Sequence, residues 1–269
     1  MTLKKTLTLA GSDSSGGAGI QADLKTFQEY GVYGMNALTS IVTMDPEESW
    51  SHNVYPIDVE VVEKQLNTIL SVGIDAMKTG MLGSVDVIEL GARKIEEYKL
   101  DKVVIDPVMV CKGEDEVLQP ENTDAMRELL LPLATITTPN LFEAGQLAQT
   151  GPLKTIDDMK NAAAKIHELG AKNIVIKGGK ALEDEKAVDL FYDGNEFVLL
   201  ESEKIDTTYN HGAGCTFAAA ITANLALGKP VSDAVHAAKD FVHAAIAHGW
   251  KLNEYVGPVM HGAYNKYGK

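Results

Sequence analysis

The chain has 269 residues, 45% of them hydrophobic and 23% charged, and a net charge of −14. Length and composition suit an ordinary globular α/β chain and exclude a collagenous, low-complexity or disordered one. The acidity excludes a broad nucleic-acid or anionic-membrane surface, which needs a basic footprint; a small anionic substrate stays admissible, because backbone dipoles and a metal ion supply positive field locally.

Lys4 and Lys5 precede a short apolar run over 6–10 that breaks at Gly11. The run is too short for a signal-peptide core and reads as a first buried strand. Further strands are expected over 36–44, 76–79, 102–105, 135–138 and 173–177, and helices over 20–30, 59–72, 85–98, 122–131 and 155–169. Val103-Val104-Ile105 and Ile174-Val175-Ile176 are apolar without interruption, as strands covered on both faces require. The alternation implies right-handed βαβ units, hence a doubly wound, mostly parallel sheet flanked by helices. Segments 187–192 and 196–201, joined through Asp193-Gly194-Asn195, read as an antiparallel edge hairpin. Two Ala-rich helices follow, over 216–227 and 232–248.

The polar stretches 47–55 and 111–119 follow strands and are expected to be lid loops, since ligands of open α/β sheets lie beyond the strands' carboxyl ends. No linker or internal repeat interrupts the chain, so one domain over 1–269 is expected. No apolar run reaches membrane-spanning length. Two cysteines, Cys111 and Cys215, are too few for a disulfide framework. A reduced, cytoplasmic protein is the expectation.

The loop Gly11-Ser12-Asp13-Ser14-Ser15-Gly16-Gly17-Ala18-Gly19 has neither a Walker lysine nor GxGxxG spacing from Gly11. It suits a small polar ligand held over a helix start, or a long turn. Asp23 follows early in that helix, as a dipole-stabilised carboxylate or as a ligand contact. Asp106, stopped by Pro107, ends an apolar strand and is placed to face a crevice. Asn140 and Glu143 have capping-box spacing, and also suit an outer-sphere Mg²⁺ site beside nucleotide phosphates. Lys177-Gly178-Gly179 would bring an ammonium and exposed amides to phosphate. Asn210-His211-Gly212-Ala213-Gly214-Cys215-Thr216-Phe217 opens a small-residue helix whose unpaired N–H groups suit an anion, with Cys215 where the field favours a thiolate. Together these groups point to Mg-dependent phosphoryl transfer, in which positioning and charge stabilisation do most of the catalysis. His167, His236, His243 and His248 fall on helices and read as surface or half-buried side chains.

In order and spacing, the blocks at 9–23, 78–82, 106–110, 138–144, 177–179 and 211–216 resemble the hydroxymethylpyrimidine (phosphate) kinase and pyridoxal kinase branch of the ribokinase-like superfamily. The resemblance implies a ribokinase-like fold, ATP and Mg²⁺, a homodimer, and phosphorylation of a hydroxymethyl group on a vitamin ring. It implies Cys215 as the base, with Gly212 and Gly214 lining the anion hole. Asn140, Lys177, Asp189, Gly214 and Lys239 would meet the nucleotide, and Glu143 and Asp106 the metal. Gly11, Asp23, Met44 and Cys111 would surround the substrate. Two features favour pyridoxal over the pyrimidine. Met44 stands where pyrimidine kinases of this family carry Gln, and a thioether cannot pair with the ring's amino group and nitrogen. Cys111 places a thiol in the lid, where it can add to the aldehyde of pyridoxal as a hemithioacetal while His211 moves the proton. Cys111, His211 and Cys215 resemble a dual-cysteine subgroup of pyridoxal kinases. The alternative is a hydroxymethylpyrimidine or hydroxymethylpyrimidine-phosphate kinase, or one enzyme with both activities.

Overall fold

The computed structural model describes residues 2–109 and 120–268, which form two compact units. The first comprises residues 1–83 and 206–269, and the second residues 84–205.

In the first unit, β1 (Lys5–Asp13) pairs in parallel with β2 (Tyr33–Asp45) and with β4 (Ala76–Thr79), and β3 (Ser51–Pro56) adds an antiparallel edge against β2. The sheet order is β3-β2-β1-β4. β4 is buried at every position, and β1 nearly so, which places apolar packing on both faces. Between Ala10 and Ser12 the register with β2 shifts by one residue: Thr39 and Ser40 of β2 stand opposite Gly11 alone, so the bulge is in β2. A Cβ at Gly11 would stand 2.7 Å from Ser40 Oγ, so the strands meet this closely only with glycine there. Helix α1 (Gly19–Glu29) follows β1, and α2 (Val59–Leu70) follows β3 with Asp58 as its N-cap.

The chain re-enters this unit with α7 (Ala213–Ala226), α8 (Val231–Ala247) and α9 (Ala263–Tyr267). All residues of α7 from Thr216 onward are buried, as expected of a helix apolar all round. Its buried hydroxyls and amide turn back on the helix: Thr216 Oγ1 donates to Gly212 O, Thr222 Oγ1 to Ala218 O and Asn224 Nδ2 to Ala220 O, each at 2.8 Å.

The second unit holds β5 (Val103–Ile105), β6 (Ile136–Thr137) and β7 (Ile174–Gly179) as parallel neighbours. β8 (Ala187–Tyr192) and β9 (Phe197–Ser202) continue the sheet antiparallel, as the expected edge hairpin. Ile174, Val175 and Ile176 are fully buried, as are all three residues of β5. Its helices are α3 (Val85–Glu97), α4 (Pro120–Ala125), α5 (Leu141–Ala148) and α6 (Ile156–Glu168). After α4 the chain widens into a π-helical turn over Met126–Leu130 and tightens to a 3₁₀ turn over Leu131–Leu133. Pro132 lacks the N–H an α-helix needs, so the single helix expected over 122–131 breaks into three pieces.

Two expectations are corrected. The stretch 47–55 is not a lid loop: residues from Ser51 form β3, and Asp45–Trp50 is the turn leading into it. The last helix-rich part begins at Ala213, three residues earlier than expected, so Gly214 and Cys215 lie inside α7. The second expected lid, 111–119, lies outside the described residues.

Candidate active site

In the first unit, the loop after β1 and the turn before α7 interlock. Gly212, the N-cap of α7, has φ +80° and no side-chain cap. A Cβ on it would lie 1.8 Å from Gly17 O, so the close approach and the left-handed backbone both require glycine. The first α-helical bond runs from Thr216 N to Gly212 O at 2.9 Å, and the N–H groups of Gly214 and Cys215 precede that ladder. Residues 212–215 are half-buried, whereas Thr216 and the rest of the helix are buried. An uncapped, solvent-reached helix N-terminus with two glycines and a thiol has the chemistry to receive an anion beside a sulfur.

Asp13 holds this arrangement from the loop side. Its Oδ1 accepts from Ser15 N at 2.7 Å, and its Oδ2 accepts from Ala18 N at 2.8 Å and meets His211 Nε2 at 2.7 Å. Burial pushes its acidity the other way, yet the bonds from His211 and Ser15 prevail and hold the carboxyl down at about 2. His211 is buried, with its backbone bridged to the 257–259 segment.

Asp23, expected at the substrate ring, is placed otherwise. Its side chain is 0% exposed, and its Oδ2 accepts from Thr8 Oγ1 at 2.6 Å and from Lys78 Nζ, itself 0% exposed, at 2.9 Å. This is a buried structural ion pair, so the ring-contact expectation is corrected. Gly11 is buried opposite the β2 bulge, and Met44 is half-buried near the end of β2, opposite His52 of β3. Lys239 lies within α8 with a half-buried side chain. Cys111 lies outside the described residues.

The second unit gathers its groups at the carboxyl ends of three adjacent parallel strands, the usual place for a ligand in such sheets. Asp106, 2% exposed, follows β5, and its Oδ1 accepts from Thr138 Oγ1 and Lys177 Nζ, both at 3.2 Å. Lys177 N donates to Pro139 O at 2.8 Å, which brings β7 alongside Asn140. Asn140 and Glu143 form a complete capping box on α5: Asn140 Oδ1 accepts from Glu143 N at 2.9 Å, and Glu143 Oε2 from Asn140 N at 2.8 Å. Burial pushes the Glu143 carboxyl up to about 7; Lys177 opposes the rise and Asp106 adds to it. Asp189 pairs across the sheet with Lys177, and its Oδ1 accepts from Gly179 N at 2.9 Å.

The donor chemistry fits a magnesium ion held through its waters. Asp106 and Glu143 are hard oxygen donors, and burial first, then the neighbouring Asp106 charge, lifts Glu143, so a cation beside the pair would relieve it. When bound there, the ion would neutralise charge on nucleotide phosphates.

Asp13, Gly17, Lys78 and Thr138 are site-building residues that motif reading left without a role. Lys78 alone carried a signal: a lysine in the middle of an apolar strand must find a counter-charge.

A family model described as phosphomethylpyrimidine kinase matches residues 13–260. The chain belongs to the phosphomethylpyrimidine kinase family. A pyridoxine kinase of Bacillus subtilis is 62% identical over 264 residues, covering 98% of this chain and 97% of the relative. A hydroxymethylpyrimidine/phosphomethylpyrimidine kinase of the same organism is 42% identical over 268 residues, covering 99% and 97%. The structure of the pyridoxal kinase from Staphylococcus aureus in complex with AMP-PCP and pyridoxal superposes with TM-score 0.94 at 55% identity, covering 99% of this chain and 96% of that one. The fold is therefore the ribokinase-like α/β fold of these family members. Among the described residues, no helix is long and apolar enough to cross a membrane.

Proposed function

We propose that this chain is an ATP-dependent kinase that phosphorylates the hydroxymethyl group of pyridoxal, and also of pyridoxine and pyridoxamine, in vitamin B6 salvage. The observation that carries the reaction class is Cys215, half-buried in the first turn of a helix whose N-terminus no side chain closes. A thiolate there takes the proton of the substrate alcohol; the alcohol oxygen bonds to the terminal phosphorus of ATP, and the bond from that phosphorus to ADP breaks. The N–H groups of Gly212 and Gly214 receive the charge of the transferred group, that of Ala213 being taken by Asn210 O. Lys177 brings an ammonium to the phosphates, while Asn140 and Asp189, with Gly214 and Lys239, are the further nucleotide contacts of this reading.

The choice of vitamin rests on Met44, on Cys111 and on the greater identity to the pyridoxine kinase than to the pyrimidine kinase. The Cys111 thiol would add to the aldehyde carbon of pyridoxal: a C–S bond forms, the carbonyl π bond opens, and the oxygen takes the thiol proton with His211 as carrier. Residues 1–269 are taken as one kinase domain, because family model and relatives run through both units. A Mg²⁺ requirement met by Glu143 and Asp106, a homodimer and a cytoplasmic location complete the proposal. The family description itself and the 42% identical relative favour a second reading, a hydroxymethylpyrimidine kinase.

A coupled ADP-release assay with pyridoxal, pyridoxine, pyridoxamine and hydroxymethylpyrimidine separates the two. The B6 vitamers should give the higher kcat/KM. Preference for the pyrimidine would install the second reading, and turnover of none would remove both.

A further inference from the structure

His211 is the one residue of the proposed machinery whose ring is fixed from several directions. Its backbone N donates to Gly257 O and its O accepts from Val259 N, both at 3.1 Å, so the Cα cannot drift. The ring packs on Gly17, where a Cβ would stand 2.5 Å from His211 Cδ2. The glycine of the loop after β1 is thus a seat for the imidazole. Nε2 ends on Asp13 Oδ2 at 2.7 Å, with both side chains less than a tenth exposed.

The chemistry of the partner decides which ring nitrogen can act. Two backbone N–H groups, Ser15 and Ala18, already donate to Asp13. Burial works against ionisation, but the bonds from His211 and Ser15 outweigh it and hold the Asp13 carboxyl at about 2, so it is ionised throughout the neutral range. An ionised carboxylate only accepts hydrogen bonds. The nitrogen facing it must therefore carry a hydrogen whether the ring is neutral or charged. In the neutral ring the lone pair is then on the other nitrogen.

We infer that Asp13 is a positioning residue that locks His211 in the Nε2–H tautomer and leaves the lone pair of the neutral ring on Nδ1. The arrangement follows the logic of a carboxylate behind a catalytic imidazole, here supplied from the end of β1, 198 residues away in sequence. Among the described residues, the titratable groups around the ring include Asp13 at the end of β1 and His261 from the segment after α8, with Lys25 of α1 beside His261. Burial first, then Lys25 and His211, press His261 down to about 4. At neutral pH His261 is uncharged, and among these groups Asp13 is the counter-charge in direct contact with the imidazole.

The tautomer is a property of the full-length protein and does not depend on what the enzyme phosphorylates. Its kinetic consequence rests on the pyridoxal-kinase reading. Long-range ¹H–¹⁵N correlation on protein labelled with ¹⁵N-histidine, with His211→Gln used for assignment, reads both. The expected spectrum of the neutral ring shows Nε2 protonated and Nδ1 bearing the lone pair. In Asp13→Asn the amide offers both a donor and an acceptor to the ring, so the Nε2–H preference should weaken and an Nδ1–H signal should appear. The kcat for pyridoxal should fall, with KM changed less than kcat. An Nδ1–H tautomer in the wild-type protein would overturn the inference, as would a tautomer balance unmoved in Asp13→Asn. The wild-type spectrum decides the first point even if that variant does not fold. Wild-type protein that fails to phosphorylate pyridoxal would defeat the functional reading while leaving the tautomer result standing.

Discussion

Replacing Glu143 by Gln isolates the electrostatic tension in the second unit. The carboxyl is 4% exposed and stands near Asp106, and burial first, then that neighbour, raises it from the ordinary 4.5 to about 7. A displacement of that size corresponds to about 3 kcal/mol of stability. The sign follows from proton binding: the folded protein holds this proton more tightly than the unfolded chain does. The contribution is therefore intact below about pH 4.5 and is lost as pH rises through about 7. Gln keeps an oxygen to accept from Asn140 N, so the capping box loses little, and it has no charge to desolvate. Urea denaturation of both proteins at intervals from pH 4.5 to 8 measures the difference directly. The two should match at the acid end, and Glu143→Gln should be more stable by about 3 kcal/mol at pH 8. On the proposed role of Glu143 at phosphate and metal, the variant should also turn over more slowly. A stability difference that stays flat across this range would refute the reasoning.

Three further outcomes are expected. Lys78→Met should destabilise the protein by about 3–5 kcal/mol, because it strands the buried Asp23 carboxylate, and Lys78→Met with Asp23→Leu should recover much of that; a loss below about 1 kcal/mol in urea titrations would show that the pair is not what holds β4 to α1. Cys111→Ala should reduce kcat/KM for pyridoxal far more than for pyridoxine, which has no aldehyde, and equal losses would defeat the hemithioacetal step. Met44→Gln should raise the relative kcat/KM for hydroxymethylpyrimidine, and an unchanged ratio would remove that residue as a discriminator.

The fold was legible where burial writes itself into composition. β4 lies within its expected bounds, and β5 and β7 follow their uninterrupted apolar runs to within a residue or two. β3 escaped because it is an edge strand with five of six residues exposed, so no apolar periodicity marks it. The start of α7 escaped because Gly212 and Gly214 read as a turn, whereas only Gly212 is left-handed and Gly214 is helical. In the second unit the sequence placed Asp106, Asn140, Glu143 and Lys177 correctly at strand ends, since strand–Pro and strand–cap boundaries are local signals. Capping and phosphate binding were offered as rivals at Asn140; the capping box is present, and it leaves the phosphate role a proposal. The pairings that organise the first unit could not be read locally. Asp23 meets Lys78 across 55 residues and Asp13 meets His211 across 198, and no spacing rule links residues so far apart.

The sulfur of Cys215 carries the proposed chemistry, so single-turnover transfer of the terminal phosphate of ATP to pyridoxine by Cys215→Ala tests it most directly. Pyridoxine bypasses the aldehyde chemistry, and nucleotide binding measured in parallel confirms that the site is formed. The account predicts transfer slowed by about 10²–10⁴-fold with nucleotide affinity retained. Transfer at close to the wild-type rate would contradict it.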